Sequence, residues 1–546
     1  MKLSPSILLA TVLCSSGCAF QQEDADLVVH NAVIHTLGEG GSETSQAMAV
    51  RDGRIVELGA ERQILNKYSA REKLDVAGQH VYPGFIDGHC HFLGYGLNKQ
   101  KVDLAGAKSW AEVLERTVVF AKAHPEHEWI LGRGWDQNLW DDKRFPDNTR
   151  LNELIPDRPV LLQRVDGHAA VVNEMALERV GLGAESVVAG GILELRDGRP
   201  TGLLVDNVVE VYQKIFDDAE EALKRSALLD AQRDCLATGL TMVSDAGLDV
   251  NTIELIAQMQ QEGALKIRIY AMVSDKQENL DHFAVKGPIL SDRLIVRAVK
   301  CYADGALGSR GALLREPYSD VDSTWHGLLR STPEHFADIA TWCKGHGFQM
   351  ATHCIGDSAD RLLLGIYAMA LGGTNDLRWR IEHAQCMDPA DFDFFSRYTV
   401  IPSVQPTHAT SDMLWADERL GPDRLAHAYA YKRLLKQNGM IALGTDFPVE
   451  GISPIATFYS AVVRKNSAGV PEGGFQMGDA LSREEALYGI TLWNAIASFT
   501  EKDLGSLEVG KFADFVILDR DLLTASAESL LGTRVMHTYV NGERMH

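Results

Sequence analysis

Residues 81–91, VYPGFIDGHCH, form a short apolar run that ends in two histidines, His89 and His91. Amphipathic helical stretches such as residues 220–238 and 332–345 alternate with further runs of this kind. That alternation predicts an α/β fold with a (β/α)8 TIM-like barrel, whose active site lies where the strands end. The other apolar runs that end in an ionisable residue are PVLLQRVDGH (159–168), LIVRAVKCYADG (294–305), FQMATHCIGD (348–357), RWRIEHAQ (378–385) and MIALGTDFP (440–448).

The two chain ends have a different pattern, since apolar and polar residues alternate there around glycine-rich breaks. Such alternation is typical of antiparallel strands. It predicts a small β-sandwich domain formed by both chain ends, residues 24–83 and 501–546. The barrel then takes residues 84–500, with an insertion near residues 100–215.

Composition and charge narrow the function classes. The 546 residues are 45% hydrophobic and 23% charged, which is ordinary for a globular protein. The formal net charge of -22 would repel nucleic acid and anionic lipid headgroups. We therefore expect a small-molecule substrate and no nucleic-acid partner, and we allow for a homodimer.

The N-terminus is typical of an export signal. Lys2 precedes the apolar residues 7–13, and Ser15-Ser16-Gly17-Cys18 is similar to a bacterial lipobox, although Ser15 stands where that motif favours leucine. We expect residues 1–18 to be a signal peptide of the lipoprotein type, with a lipid anchor at Cys18 and export to the bacterial cell envelope. Ordinary cleavage into the periplasm is the alternative. Cysteines beyond the signal have no CxxC spacing, which predicts buried free thiols: Cys90, Cys235, Cys301, Cys343, Cys354 and Cys386.

The spacing of His89 and His91 favours a metal site. Side chains alternate along a strand, so both imidazoles point to the same side while Cys90 between them packs away. An HxH pair alone is a weak signal, but His353, His383 and Asp446 also end apolar runs. All five side chains are suitable ligands for a divalent metal such as zinc, with one or two ions per chain.

Lys300 ends another apolar run, but lysine is not a usual metal ligand. A lysine with a pKa of about 10.4 is a cation at neutral pH and cannot bind a metal. Carboxylation of its amine by carbon dioxide would create an anion that can bridge two metals about 3.5 to 4 Å apart. An ion pair with Asp304, or contact with an anionic substrate, would also explain it.

Several strings together carry a family resemblance. PGFIDGHCH, VKCYADGALGSRGALL, THCIGD, RIEHAQ, GTDFPV and GKFADFVILD occur in an order that resembles the amidohydrolase superfamily. The match covers about residues 26–545 and is most similar to the amidohydrolase 3 or YtcJ-like branch, which includes N-substituted formamide deformylase. The resemblance implies a (β/α)8 barrel flanked by a β-sandwich, in agreement with the pattern above.

The resemblance also implies roles for the ligands. In binuclear members the HxH pair and the last aspartate hold one metal, two histidines hold the other, and a carboxylated lysine bridges them. By motif, these positions are His89, His91 and Asp446, then His353 and His383, then Lys300. The implied reaction is hydrolysis of a C–N bond in an amide, formamide or N-acyl compound by a metal-activated water. Asp446 would act as the catalytic general base and then as general acid.

Residues that contact the substrate are harder to identify from the sequence. The candidates are His168, Arg310, Trp135 and His408. Trp135 could instead be a core residue, and in the same region Arg133 could pair with Asp136.

Two other functions remain open at this point. One is a mononuclear deaminase, or an esterase or lactonase, on the same scaffold. Zinc deaminases of the superfamily usually carry a glutamate shortly after the histidine of strand five, whereas Cys354, Ile355, Gly356 and Asp357 follow His353 here. The other is a non-catalytic binding lipoprotein of the envelope, against which the complete ligand set argues.

Overall fold

The structure is a computed structural model that describes residues 22–38, 40–41, 43–125, 127–212, 221–321 and 324–546. The predicted signal peptide, residues 1–18, and its Cys18 lie outside the described residues. Within these ranges, no helix is long and apolar enough to cross a membrane.

A parallel sheet of eight strands forms the central barrel. Its strands are almost wholly buried, as expected for parallel strands covered on both faces. Each strand pairs in parallel with the next, which confirms the predicted (β/α)8 barrel. The strands are β1 (Phe85–Cys90), β2 (Leu240–Leu248), β3 (Arg268–Ser274), β4 (Leu294–Tyr302), β5 (Gln349–Cys354), β6 (Arg380–His383), β7 (Ile401–Val404) and β8 (Ala442–Leu443), with Ile289–Leu290 pairing antiparallel to β4.

The end of the barrel sheet meets its beginning just beyond β1 and β8. The Asp446 amide donates to the His89 carbonyl at 2.8 Å, and the His91 amide donates to the Phe447 carbonyl at 2.8 Å. These two backbone bonds join the segment after β8 to the end of β1. They place Asp446 beside the HxH pair, although the two lie more than three hundred residues apart in the chain.

Helices cover the outside of the barrel, and others pack on the inserted sheet and on the sandwich. Several begin and end at residues suited to those positions. Pro333–His346, for example, begins after Thr332, whose hydroxyl accepts from the His335 amide, and ends at Gly347 with φ +75°. The helices are Glu61–Lys67, Phe92–Asn98, Trp110–Ala123, Thr149–Leu154, Glu174–Val180, Asn207–Glu210, Glu221–Ala237, Val250–Gln261, Gln277–Lys286, Pro333–His346, Asp357–Leu371, Asp393–Arg397, Pro406–Asp412, Ala416–Leu425, Tyr431–Asn438, Pro454–Val463, Arg483–Gly489, Leu492–Ala497 and Ala527–Leu530, with short 3₁₀ turns at Gln137–Leu139 and Met477–Asp479.

Two further sheets form the predicted β-sandwich from both chain ends, which is thereby confirmed. Leu27 and Val50 of the first sheet share one apolar core with Phe515 and Ile517 of the second. The first sheet contains, in spatial order, Arg54–Gly59, Ala47–Arg51, Glu23–His30 and Tyr68–Asp75. The second contains Glu543–Arg544, Val535–Val540, Phe515–Leu518, His80–Pro83, Val33–His35 and Thr44–Ser45.

A fourth sheet interrupts the barrel between β1 and β2. The polar ending of the run at residues 159–168 predicts a barrel strand, but this is wrong, because Val160–Arg164 lies in the inserted sheet. A buried apolar strand with a polar end has the same local pattern in either sheet, so the sequence could not separate them. The spatial order is Gly191–Arg196, Arg199–Asp206, Ala169–Val172, Val160–Arg164, Ile130–Trp135 and Val102–Asp103.

All six cysteines of the described chain are buried and free, as predicted. Burial raises the pKa of each thiol well above its usual value, which favours the unreactive protonated form. Cys90 packs in the main hydrophobic core, away from the histidines on either side. These residues therefore act in packing.

Candidate metal centre

A cavity of about 360 Å³ opens where the barrel strands end. The polar groups that line it come mostly from residues directly at or after strand ends, as the barrel fold requires. They include His91, Lys300, His353, His383 and Asp446. His89 lies beneath them, fully buried. The structure thus brings all six predicted metal ligands to one place.

His89, His383 and Asp446 form a compact group of possible ligands. One ligand atom from each lies within 4.8 Å of the others, and all three side chains are buried. Asp446 Oδ1 lies 3.7 Å from His89 Nε2 and 3.4 Å from His91 Nε2. The HxH pair therefore faces one carboxylate oxygen from two sides.

Lys300 and His353 extend this group along the floor of the cavity. Lys300 Nζ lies 3.3 Å from His89 Nε2, and the ring centroids of His353 and His383 are 4.6 Å apart. Asp304, the alternative partner for Lys300, instead accepts hydrogen bonds from the backbone amides of three residues: Leu313, Ile355 and Gly356. The lysine amine consequently faces the ligand cluster.

Buried polar side chains hold two of the imidazoles from behind. We assign the Nδ1 proton of His89 as a donor to Glu382 Oε2 at 2.7 Å, and that of His383 as a donor to Gln405 Oε1 at 2.6 Å. Glu382 Oε1 also forms an ion pair with Arg380, whose Nε lies 2.7 Å away. Metal-binding histidines are commonly fixed in this way, because the outer hydrogen bond leaves the Nε2 lone pair free.

The donors present fit a divalent metal. Asp446 Oδ1 and His408 Nε2 are both buried, and neither has a hydrogen-bond partner among the described residues. A buried polar atom without a partner is costly unless something else binds it. Imidazole nitrogens and carboxylate oxygens are the donors that zinc and similar ions prefer.

The protonation states also suit a metal. Burial lowers the pKa of His353 and His383 well below its usual value, so both rings are neutral and can offer a lone pair. Burial also lowers the pKa of Lys300, which increases the fraction of neutral amine. The neutral amine is the form that can react with carbon dioxide. Burial raises the pKa of Asp446, because it disfavours the charged carboxylate, and a cation bound beside this carboxylate would offset that cost.

Two of these ligands sit in unusual backbone conformations. His383 has a φ of +74° and Asp446 a φ of +60°. Residues other than glycine rarely adopt this region, and such strain tends to concentrate at functional sites. The strain here turns each side chain into the cavity at the point where its strand ends.

The four predicted substrate-contact residues fall into two groups. His168 and His408 line the cavity, and His408 Nε2 lies 3.5 Å from Asp446 Oδ2. Trp135 is fully buried in the core of the inserted sheet, and its indole donates to the Leu162 carbonyl at 2.7 Å. Arg310 pairs with Asp320 at 2.9 Å. Neither Trp135 nor Arg310 is among the described residues that line the cavity.

The outer end of the cavity is rich in acidic groups. Arg164 pairs there with Asp136 and Asp166, so Asp136 does not take the alternative partner Arg133. Asp412 accepts from the Tyr429 hydroxyl at 2.9 Å, and Glu450 accepts from Ser411 Oγ at 2.6 Å. Burial raises the pKa of Glu450 to about 7, so this end is less anionic than its composition suggests.

Sequence reasoning missed several residues that shape the cavity, although signals for some were present. Glu382 stands inside the quoted string RIEHAQ, one residue before a predicted ligand. Gln405 directly follows β7, and Asp206 ends the strand Arg199–Asp206, so the rule of polar residues at strand ends would have included both. Asp412 and Glu450 lie beyond strand ends, where the local pattern carries no such signal.

Comparison with known proteins gives a consistent picture. The sequence profile of the amidohydrolase family matches residues 72–546. Protein LONG AFTER FAR-RED 3 of Arabidopsis thaliana is 31% identical, over 96% of this chain and 92% of its own length. N-substituted formamide deformylase of Arthrobacter pascens is 27% identical, over 95% of this chain and 97% of its own. The crystal structure of an uncharacterized metal-dependent hydrolase from Pyrococcus horikoshii OT3 is similar with a TM-score of 0.75 and 28% identity, covering 92% of this chain and 99% of that one.

Proposed function

Because the chain belongs to the amidohydrolase family, as its motifs predicted, we propose that it is a metal-dependent hydrolase that cleaves a C–N bond in an amide, formamide or N-acyl small molecule. The observation that carries this proposal is the convergence of six ligand-type side chains on one cavity, with Asp446 Oδ1 buried and unpartnered among the described residues. The formamide deformylase relative, which matches this chain over nearly its whole length, supports the choice of bond.

The residues divide into those that would hold metal and those that would handle substrate. His89, His91 and Asp446 would hold one ion and His353 with His383 a second, bridged by a carboxylated Lys300. When bound, such ions lower the pKa of water toward about 7 and polarise a carbonyl group. Glu382 and Gln405 keep two of the imidazoles in the required orientation.

Asp446 is the proposed proton carrier. Its carboxyl group would take a proton from the attacking water and pass it to the leaving nitrogen, so that the amine departs neutral. His408, whose Nε2 is 3.5 Å from Asp446 Oδ2, would contact the substrate beside it.

Metal content tests the core of this proposal. Elemental mass spectrometry would compare the wild-type protein with Lys300→Ala, both purified with bicarbonate present. We expect two equivalents of metal in the wild type and a sharp fall in the variant. One equivalent in both would favour the mononuclear deaminase or esterase alternative, and none in either after added zinc would favour a binding protein.

Activity is tested separately with a panel of N-substituted formamides, N-acyl amino acids and p-nitrophenyl esters, with amine or phenol release as the readout. We expect release of amine from formamides or N-acyl compounds at rates well above those for the esters. Turnover of the esters alone would contradict the proposed C–N bond specificity.

We also propose that residues 1–18 direct export and that Cys18 carries a lipid anchor. The support is the sequence pattern alone: a short apolar run followed by small residues and a cysteine. Incorporation of labelled palmitate in a bacterial host, compared between the wild type and Cys18→Ala, would test it. Absence of label from the wild type would contradict the anchor.

A further inference from the structure

A histidine and a buried aspartate from the inserted sheet form a dyad at the edge of the candidate metal centre. His168 Nδ1 lies 2.8 Å from Asp206 Oδ1, and the His168 ring lies 5.1 Å from the His353 ring, centroid to centroid. His168 lines the cavity with its side chain 12% exposed. Neither residue belongs to the metal ligand set, and both come from outside the barrel.

Asp206 is built firmly into its place. Its backbone has a φ of +53°, its amide donates to the His168 carbonyl at 2.7 Å, and its side chain is fully buried. A Cβ atom on Gly305 would lie 2.4 Å from Asp206 Oδ1, and one on Gly311 would lie 2.4 Å from Asp206 Oδ2. The loop that follows β4 therefore wraps around this carboxylate and needs glycine at both points.

The enclosed carboxylate fixes the hydrogen-bonding character of His168. A carboxylate oxygen accepts hydrogen bonds, so we assign the proton of this contact to Nδ1 of His168, which donates it to Asp206. In the neutral ring the other nitrogen, Nε2, then has a lone pair and no proton. Since Nδ1 is occupied, the polar atom that His168 offers to the cavity is this acceptor.

We propose that His168 Nε2 accepts a hydrogen bond from the N–H of the scissile amide, and that the enzyme therefore acts on secondary amides in preference to tertiary ones. The inference rests on the proposed C–N hydrolysis. A secondary amide has one acceptor, its carbonyl oxygen, and one donor, its N–H, so an acceptor beside the reacting atoms can pair only with the N–H. In a trans amide the two groups point in opposite directions, which turns the carbonyl oxygen away from His168 and toward the ligand cluster.

The experiment compares kcat/KM for N-benzylformamide, which has the N–H, with that for N-benzyl-N-methylformamide, which lacks it. We expect the wild type to prefer the secondary amide by about 10- to 100-fold, the range expected when a buried acceptor loses its donor. In His168→Phe the preference should fall to within about threefold, through loss of activity on the secondary amide alone. Asp206→Asn should lower the preference too, because an asparagine side-chain amide can donate to Nδ1 and leave the proton on Nε2.

The matched control is His335→Phe, because His335 forms a similar pair with Asp275 at 2.8 Å and is not among the described residues lining the cavity. This variant should keep the wild-type preference. Metal content by elemental mass spectrometry should be unchanged in His168→Phe, whereas a loss of metal would overturn the inference by making His168 a ligand.

The outcomes separate this inference from the function on which it rests. A wild type that hydrolyses both amides equally, or a preference that survives in both His168→Phe and Asp206→Asn, overturns the role of His168 and leaves the C–N hydrolase standing. A wild type that hydrolyses neither these amides nor the wider panel overturns the proposed function, and the inference falls with it.

Discussion

Asp446 has two proposed roles, as a metal ligand and as the group that carries a proton to the substrate. We predict that Asp446→Asn lowers kcat by about a thousandfold, since an amide can neither take nor deliver the proton. The fold should persist, because the asparagine is isosteric. Steady-state kinetics and the thermal midpoint would be measured together, with Asp479→Asn, outside the cavity, as the control. Activity near that of the wild type would refute the proposed mechanism.

Glu382 acts through His89 rather than on the substrate. We predict that Glu382→Gln weakens metal binding by about 10- to 100-fold, because the neutral amide holds the imidazole less firmly and leaves Arg380 without its carboxylate. Competition with a coloured chelator would measure the affinity. Glu501→Gln is the matched control, because Glu501 also pairs with an arginine, Arg378, at 2.9 Å, whereas its hydrogen bonds within the described residues go to that arginine and not to a histidine. Equal affinities in the two variants would contradict the role of Glu382.

The sequence predicted the direction of individual side chains wherever the geometry of a single strand determines it. Strand alternation placed His89 and His91 on one side and Cys90 on the other, as the structure has them. Strand alternation does not show that Trp135 lies in a core whereas His168 lines the cavity. Exposure of such residues depends on which sheet packs over them, and that is a long-range property.

The first and last strands of the barrel are joined by the side chain of Asn494 as well as by backbone hydrogen bonds. Asn494, 1% exposed, donates from Nδ2 to the Ile86 carbonyl of β1 at 2.6 Å and to the Leu443 carbonyl of β8 at 2.7 Å. It therefore links the first strand to the last. Loss of this side chain would leave two buried carbonyl oxygens without their donor.

We predict that Asn494→Ala lowers the free energy of unfolding by about 3 kcal/mol, since each buried carbonyl left without a partner costs about 1–3 kcal/mol. Urea unfolding followed by circular dichroism would measure it. Glu484→Ala, an exposed position on the preceding helix Arg483–Gly489, should change stability by no more than about 0.5 kcal/mol. If the two variants unfold at the same urea concentration, Asn494 does not stabilise the closure.

A polar residue at the end of a strand does not determine which sheet that strand joins. Five of the barrel strands, β1, β4, β5, β6 and β8, could be predicted because polar endings mark the active-site face of a parallel sheet. Val160–Arg164 has the same ending, yet it pairs in parallel with Ile130–Trp135 and antiparallel with Ala169–Val172 in the inserted sheet. Pairing partners are chosen by contacts between distant segments, which the pattern within one strand does not contain.

For the whole molecule, the barrel and the sandwich are joined by a buried ion pair. Arg268 at the start of β3 donates from Nε and Nη2 to the two oxygens of Asp514 at 2.7 and 2.9 Å. Asp514 directly precedes the sandwich strand Phe515–Leu518, and both side chains are at most 5% exposed. Two parallel hydrogen bonds of this kind fix the relative position of two elements as well as their distance.

We predict that Arg268→Met and Asp514→Leu each lower the free energy of unfolding by about 3–5 kcal/mol, because each leaves one buried charge without its partner. The double variant should lose less than the sum of the two, since it removes both charges together and restores an apolar contact. Urea unfolding of all four proteins gives the coupling energy. The exposed pair Arg233–Asp230 serves as the control, and its cycle should give at most about 1 kcal/mol. Strict additivity at Arg268 and Asp514 would mean that the sandwich is held to the barrel by its apolar contacts alone.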